Sequence, residues 1–246
     1  MTMKISAISD VHVKSPNDEA DALLCSFLNH PEVQSSDYIL LLGDIYDLMV
    51  GPHDEYLKSF AHHFQAMDEL IKRGKKIYFF EGNHDVHLEK LFKKIWKNNE
   101  LIITQRPIIE EIEGKSYCFS HGDEYEVDNH SYHRYMKFIR TKPLKFIADN
   151  IMPYSVLHFL GERASKMSRK KGSRKFDAEG VKAKFRSGVH QLTDGKYHFV
   201  LGGHSHVKDQ FNIPGSDSLY INNGYALNTK TFILIDNHQV KFVPLR

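Results

Sequence analysis

Short apolar runs recur along the chain, and each stops at a cluster of polar residues. Lys4 to Ser9, Tyr38 to Leu42, Lys76 to Phe80, Tyr117 to Ser120 and His198 to Leu201 are four to six residues long. Their length and lack of alternation predict buried strands. Between the early runs the apolar spacing changes to three and four. Glu19 to Leu28 is a predicted helix. Glu55 to Ile71 is another, with Tyr56, Leu57, Phe60, Phe64, Met67 and Ile71 on one face. Strands alternating with helices predict an α/β domain. The tail returns to strands at Ser218 to Ile221, Thr231 to Ile235 and Gln239 to Val243.

From Asn129 to Thr193 no strand pattern occurs. Tyr132, Tyr135, Met136, Phe138 and Ile139 fall at helical spacing. Leu144, Phe146, Ile147, Ile151 and Met152 follow, then Val156, Leu157, Phe159 and Leu160. Pro143 and Pro153 start or separate helices. The polar, basic stretch Ser168 to Lys175 reads as a loop. The expected organisation is a single domain over residues 1–246, with a helical insertion at 129–193 between the fourth and fifth strands.

With 41% hydrophobic and 26% charged residues, the composition is that of a globular protein. No run of 18 apolar residues exists, so no spanning helix is expected. The first residues lack the long apolar stretch of a secretory signal. Cys25 and Cys118 lie in separate apolar segments and read as two buried thiols. A reducing, cytoplasmic compartment fits them. The net charge of +2 conceals a segregation. Between Arg134 and Arg186 there are 15 Lys and Arg against 4 Asp and Glu, a net of +11. The rest of the chain has 18 against 27, a net of −9. One part is built to face an anionic partner and another to bind cations.

The 16 histidines gain meaning from position. Five apolar runs each end in metal-type ligands: Asp10 and His12; Asp44 and Asp47; Asn83, His84 and Asp85; His121; His204 and His206. Strand ends in α/β sheets are where ligand sites form. One such cluster is weak evidence, because an Asp after a strand is usually a cap. Five in succession are strong evidence. Carboxylates, imidazoles and one amide oxygen suit Mn2+, Fe2+ or Zn2+, and the absence of Cys excludes a thiolate-rich structural zinc site. Two cations are well served by one shared carboxylate, for which Asp44 is the candidate. Asp47 either touches the site or orders the loop after the second strand. Asp123 reads as supporting or structural. The other eleven histidines, His62, His63, His87 and His133 among them, read as surface residues.

Asp10-x-His12, Gly43-Asp44-x-x-Asp47, Gly82-Asn83-His84-Asp85, His121-Gly122 and Gly203-His204-x-His206 together resemble the signature of the calcineurin-like metallophosphoesterases. The resemblance implies an α/β two-sheet sandwich flanked by helices, with a helical cap. It implies two divalent metal ions, Mn2+ foremost. Asp10, His12, Asp44 and His206 would hold one, and Asp44, Asn83, His121 and His204 the other. His84 would protonate the leaving oxygen or stabilise phosphate charge, with Asp85 orienting it.

The insertion is similar to the cap of UDP-2,3-diacylglucosamine hydrolases, the pyrophosphatases of lipid A synthesis. The similarity runs from His121-Gly122-Asp123 through Asp128 and Tyr132 and the helices near Pro143 and Pro153 to the basic stretch. It implies cleavage of a lipid-linked nucleotide to UMP and a lipid monophosphate. Arg163, Arg169, Lys170, Lys171, Arg174 and Lys175 would meet the phosphates. An apolar cap edge with a basic rim implies peripheral association with an anionic membrane, and no protein partner is inferred. The chain carries His84 where many of these hydrolases carry Arg, and Asn129 where an acidic residue is expected. Two other readings compete. One is a nuclease or cyclic-nucleotide phosphodiesterase, against which the Leu, Ile and Met content of the insertion counts. The other is a non-catalytic scaffold, against which the complete ligand set counts.

Overall fold

The structure is a computed structural model that describes residues 3–97, 100–159 and 177–246. Two β-sheets face each other. The first has the order β13 (Gln239–Pro244), β12 (Thr231–Asp236), β1 (Lys4–Ile8), β2 (Tyr38–Leu41), β4 (Lys76–Phe80) and β6 (Leu101–Thr104). Its β1, β2, β4 and β6 run parallel, while β12 pairs antiparallel with β1 and β13. The second has the order β10 (Lys208–Asn212), β11 (Leu219–Asn223), β9 (Phe199–Gly202), β8 (Lys115–Phe119) and β7 (Ile108–Ile112). Here β8, β9 and β11 are parallel, and β7 and β10 are antiparallel edges. A two-stranded ribbon joins β3 (Met49–Val50) to β5 (Asp85–Val86).

Side chains alternate across a strand, so a strand buried on both faces must be apolar throughout. In the first sheet Ile5, Ala7, Leu40, Leu42, Tyr78 and Phe80 face the second sheet. Tyr117, Phe119, Phe199, Leu201 and Ile221 meet them from the other side. The alternate residues Ile8, Ile39, Leu41, Ile77 and Phe79 face the helices. Each fully buried side chain of this kind stabilises the fold by about 1.5–3 kcal/mol.

On the helix side lie α1 (Glu19–Leu28), α2 (Pro31–Ser35), α3 (Asp54–Ser59), α4 (Ala61–Lys72) and α5 (Glu89–Lys93), with α10 (Ala226–Thr229) near the tail. Asp18 caps α1 by accepting from the Asp21 amide at 2.7 Å, and Glu19 and Asp21 favour its positive end. The single helix expected over Glu55 to Ile71 is two. Phe60 leaves helical geometry at φ −113°, ψ 26°, and the break lets Phe60 and Phe64 both turn into the core. The edge strands β6, β7 and β10 were not expected. β7 and β10 mix charged and amide side chains with apolar ones and so lack an apolar run, whereas β6 is apolar from Leu101 to Ile103 and exposes Ile102 at its position in the sheet.

The insertion holds α6 (His130–Ile139), α7 (Lys142–Asn150), a helical run α8 over residues 154–159, and α9 (Ala178–Thr193). Pro143 lies in the first turn of α7, and Pro153 precedes α8. The last helix, α9, belongs to the body rather than to a cap. Phe185 and Val189 pack on Cys118, Val200, Ile213 and Tyr220 behind the second sheet. No helix among the described residues is long and apolar enough to cross a membrane.

Gly188 lets α9 approach this closely, since a Cβ there would collide with the Tyr125 backbone carbonyl. Gly188→Ala should therefore cost about 1–3 kcal/mol. Calorimetry should show Tm falling by roughly 2–4 °C for each kcal/mol. An unchanged Tm would mean that this contact does not set the helix position.

Candidate phosphoesterase centre

The five ligand clusters lie at the carboxyl ends of β1, β2, β4, β8 and β9, three from one sheet and two from the other. Backbone bonds extend the pairing of β1 and β2 past their ends. The amides of Asp10, His12 and Val13 donate to the carbonyls of Gly43, Asp44 and Ile45 at 3.1, 3.0 and 2.9 Å. From the second sheet, the His204 amide donates to both Asp10 oxygens at 3.0–3.1 Å. Asn223, at the end of β11, accepts the Ser9 amide at 3.0 Å. Both sheets thus fix the Asp10 loop.

Two sets of donor atoms each fall within 4.8 Å of one another: Asp10, His12, Asp44 and His206; and Asp44, His121 and His204. Asp44 is common to both. Its Oδ1 accepts the amides of Asn83 and His84 at 2.8 and 2.9 Å. Its Oδ2 lies 3.8 Å from His12 Nε2 and 3.8 Å from His121 Nε2. One oxygen is held by backbone, and the other faces an imidazole from each set. Gly82 makes room for this carboxylate, because a Cβ there would collide with Asp44.

His121 provides the clearest test of fit to a cation. Its Nδ1 is 2.8 Å from the Leu42 carbonyl oxygen. A carbonyl only accepts, so Nδ1 carries a hydrogen, and in the neutral ring Nε2 has its lone pair free for a cation. That Nε2 is buried and has no hydrogen-bond partner. Metal-ligating histidines are presented in this way. His12 Nε2 and His206 Nε2 lie 3.3 Å apart, and His206 Nε2 is 3.3 Å from Asp10 Oδ1. The donor sets could hold two divalent cations sharing Asp44.

Electrostatics agree with a cation-binding centre. Burial opposes charge on Asp44, yet His121, His84, His12 and the His84 amide outweigh it and hold the carboxyl well below its usual range. Burial likewise opposes a charged His121, but Asp44, Asp123 and Asp10 push it up to about 9. Without a cation, protons on imidazole partly balance the clustered carboxylates.

His84 borders the cavity beside the centre. Its Nδ1 donates to the Asp47 carbonyl at 2.8 Å, and Asp47 Oδ1 lies 3.5 Å from both His84 Nδ1 and His12 Nδ1. Asp47 therefore both orients His84 and faces the centre. Asp85 does not orient His84, contrary to expectation. Its oxygens accept the amides of Asp44, Ile45, Tyr46 and Gly82 at 2.7–3.3 Å, and the residue is fully buried. It shapes the loops and does not line the cavity.

The cap reaches the centre through Tyr132. Its hydroxyl lies 3.3 Å from Asn83 Oδ1 and 3.3 Å from Asp123 Oδ2. Arg140 Nη1 sits 3.4 Å from the same Asp123 oxygen. Glu126 Oε2 lies 3.7 Å from His204 Nε2. Sequence reasoning missed Arg140 and Glu126; neither lies in a strand-end motif. His87 is not on the surface. It is buried, its Nε2 donates to the Ile139 carbonyl at 3.0 Å, and it borders the cavity. Asp128 is away from that cavity. It lines a separate space of about 200 Å³ with Glu126 and Lys184. Arg163, Arg169, Lys170, Lys171, Arg174 and Lys175 lie outside the described residues.

The cavity itself has a volume of about 610 Å³. It is lined by His12, Asn83, His84 and His206 of the centre, by Leu48, Val50 and Val86 of the body, and by Tyr132, Ile139, Leu144, Ile147, Met152 and Leu157 of the cap.

The calcineurin-like phosphoesterase family model matches residues 3–208. Curated relatives named UDP-2,3-diacylglucosamine hydrolase are similar to this chain. The protein of Photorhabdus laumondii is 28% identical over 54% of each chain. That of Aeromonas hydrophila is 26% identical over 57% of this chain and 56% of its own. The chain thus spans about half the length of these two. That of Neisseria meningitidis serogroup A is 25% identical over 97% of this chain and 96% of its own. The family match runs through every strand-end cluster from Asp10 to His206, and the chain belongs to the calcineurin-like phosphoesterases, metal-dependent phosphoester hydrolases.

Proposed function

We propose that the chain hydrolyses the pyrophosphate of UDP-2,3-diacylglucosamine, giving UMP and a lipid monophosphate. The observation that carries this reading is a cavity lined both by metal-type ligands and by a group of large apolar side chains from the cap. A diacylated sugar nucleotide has both characters, and ligand cavities of a few hundred Å³ with a few placed polar groups are the usual form of such sites. The relatives' printed name supports the same substrate.

Asp10, His12, Asp44 and His206 would hold one cation, and Asp44, Asn83, His121 and His204 the other. Their oxygen and imidazole donors favour Mn2+, with Fe2+ and Zn2+ next. When bound, such a pair supplies a water that is nucleophilic near neutral pH and positive charge for the phosphoryl oxygens. Water attacks the phosphorus nearer the uridine, and the bond from that phosphorus to the bridging oxygen breaks. His84, with Nδ1 donating to Asp47, turns Nε2 to the cavity. In its imidazolium form it donates from Nε2 to the leaving oxygen or to the phosphate. Tyr132 and Arg140, joined through Asp123, hold Asn83 in place and keep the cap against the centre.

The cap also carries exposed Tyr135, Phe138, Phe146, Ile151, Val156 and Phe159. Arg134, Lys137 and Lys142 lie beside them in sequence. An apolar edge with basic neighbours suits the surface of an anionic bilayer, where each nearby cation contributes about 1 kcal/mol.

Three outcomes are expected. Purified protein should release UMP from UDP-2,3-diacylglucosamine with Mn2+, and chelator or Asp44→Asn should abolish release. Metal-dependent cleavage of bis(p-nitrophenyl) phosphate without UMP release would leave the centre and remove the lipid substrate. Ile147→Glu, which places a charge among the apolar side chains of the cavity, should raise KM for the diacylated substrate by about 10-fold or more, the effect of 1–3 kcal/mol in a hydrophobic pocket. It should leave turnover of bis(p-nitrophenyl) phosphate unchanged, and equal losses on both substrates would contradict the pocket assignment. In flotation, the protein should rise with phosphatidylglycerol vesicles at low salt and not with neutral ones. No flotation with either would end the membrane reading.

A further inference from the structure

Away from the phosphoesterase centre, on the helix-covered face of the first sheet, four donor groups converge from α1 and α4. Asp21 and Cys25 stand one turn apart on α1, so they share a face. His62 and His63 are consecutive near the start of α4. Their donor atoms all lie within 4.8 Å of one another. His62 Nε2 is 2.8 Å and His63 Nε2 is 3.2 Å from the same Asp21 oxygen, Oδ1. The two imidazole centroids are 4.2 Å apart. Nitrogen and oxygen ligands placed tetrahedrally about Zn2+ at 2.0–2.1 Å are about 3.3 Å from one another. The His63–Asp21 separation is close to that, while His62 Nε2 and Asp21 Oδ1 are drawn to hydrogen-bond distance at 2.8 Å.

The groups around the cluster leave it open to a cation. The second Asp21 oxygen, Oδ2, accepts the Asn17 amide at 3.0 Å, which fixes Oδ1 toward α4. His63 is fully buried, and its Nδ1 lies 3.4 Å from the Tyr46 hydroxyl. No hydrogen bond reaches His63 Nε2, although Asp21 Oδ1 is nearby. A buried polar atom left without a partner destabilises the fold. A bound cation would remove that destabilisation.

We propose that Asp21, Cys25, His62 and His63 form a third metal site, for a zinc-class divalent cation, that staples α1 to α4. One thiolate, two imidazoles and one carboxylate complete a tetrahedral shell with no position for substrate, so the site is structural. It shares no residue with the phosphoesterase clusters. Burial and the Asp21 charge push the Cys25 thiol up, and burial with the neighbouring His62 holds His63 down to about 4. The metal-free cluster therefore has a neutral thiol and a neutral buried imidazole. Binding forms an S–metal bond and releases the thiol proton to solvent, one proton per cation.

The test uses the full-length chain without a histidine tag, stripped by chelator and reloaded with Co2+. The phosphoesterase centre has no sulfur ligand, so a thiolate-to-cobalt charge-transfer band in the near ultraviolet reports the α1–α4 cluster alone. The band should saturate at one equivalent, with native mass spectrometry showing three metals per chain. Cys25→Ser should lose the band and one metal while cleaving bis(p-nitrophenyl) phosphate at the wild-type rate. His62→Ala, at a partly exposed position that tolerates change, should weaken the band's Co2+ affinity at least tenfold and keep the fold. Absence of the band in wild-type protein whose hydrolysis Co2+ has restored would overturn the proposal. So would a band that survives Cys25→Ser or disappears in Cys118→Ser.

Discussion

Asp85 lies fully buried between the loops that follow β2 and β4, and its two oxygens accept amide hydrogens from four residues. Those amides belong to Asp44, Ile45, Tyr46 and Gly82, so one side chain gathers both loops. Burial and the nearby Asp44 charge push the Asp85 carboxyl well above its usual range, and the amide donors pull the other way. The position of Asp44 follows from this arrangement. Its amide is fixed by Asp85, and its Oδ1 is fixed by the amides of Asn83 and His84. Only Oδ2 is left to face the two imidazoles. Removal of the Asp85 oxygens would leave several buried amides without partners, each costing about 1–3 kcal/mol.

The same loops carry backbone strain. Asp10, His12, Asp44, His204 and His206 all have φ between 52° and 64°. That left-handed region costs a residue other than glycine of order 1–3 kcal/mol, and it persists only where surrounding contacts over-determine it. The contacts are identifiable here. Asp10 and His12 are held by carbonyls of the Gly43–Asp44 loop, and His204 is held by both oxygens of Asp10. Each strained residue directs an imidazole or carboxylate toward one point, which a regular turn would not do. Favourable packing of the sandwich sustains the strain, and a cation that binds the converged donors would draw on geometry already in place.

The legible and the illegible parts of this chain divide along physical lines. Strands β1, β2, β4, β8 and β9 bury both faces, and their apolar runs announce them. Each ends in donors, so the strand-end clusters were legible together with the strands. Edge strands such as β7 bury one face and mix Glu110 and Glu111 with Ile108 and Ile109, which leaves no such run. The role of Asp85 was misread because adjacency to His84 in sequence suggested contact, whereas the turn sends the two side chains in opposite directions. Glu126, Arg140 and His87 act through tertiary contacts that no local pattern encodes. His63 was misread for a related reason: on a helix, one of two consecutive histidines can be exposed while the next is buried, and only the packing of α1 decides which.

Among the described residues, polar contacts tie the cap to the centre and body, beside the packing of Tyr154 on Tyr56 and the helix-side core. Tyr132 links α6 to Asn83, Arg140 links its end to Asp123, and His87 bonds to the Ile139 carbonyl. Lys90 on α5 pairs with Asp149 of α7 at 3.4 Å. The apolar residues of α6 and α7 are divided between the cavity and solvent: Ile139, Leu144 and Ile147 line the first, while Phe138 and Phe146 project into the second. A helix pair that needed only to bury itself would not leave large aromatic rings exposed on one face while its other apolar face lines an open cavity. On the proposed function, this surface would make two apolar contacts, one with the substrate in the cavity and one outside it. A diacylated substrate drawn from a bilayer would satisfy both at once. Its chains would enter the cavity while its headgroup meets the strand-end donors, and the exposed rings would rest on the surface from which it came.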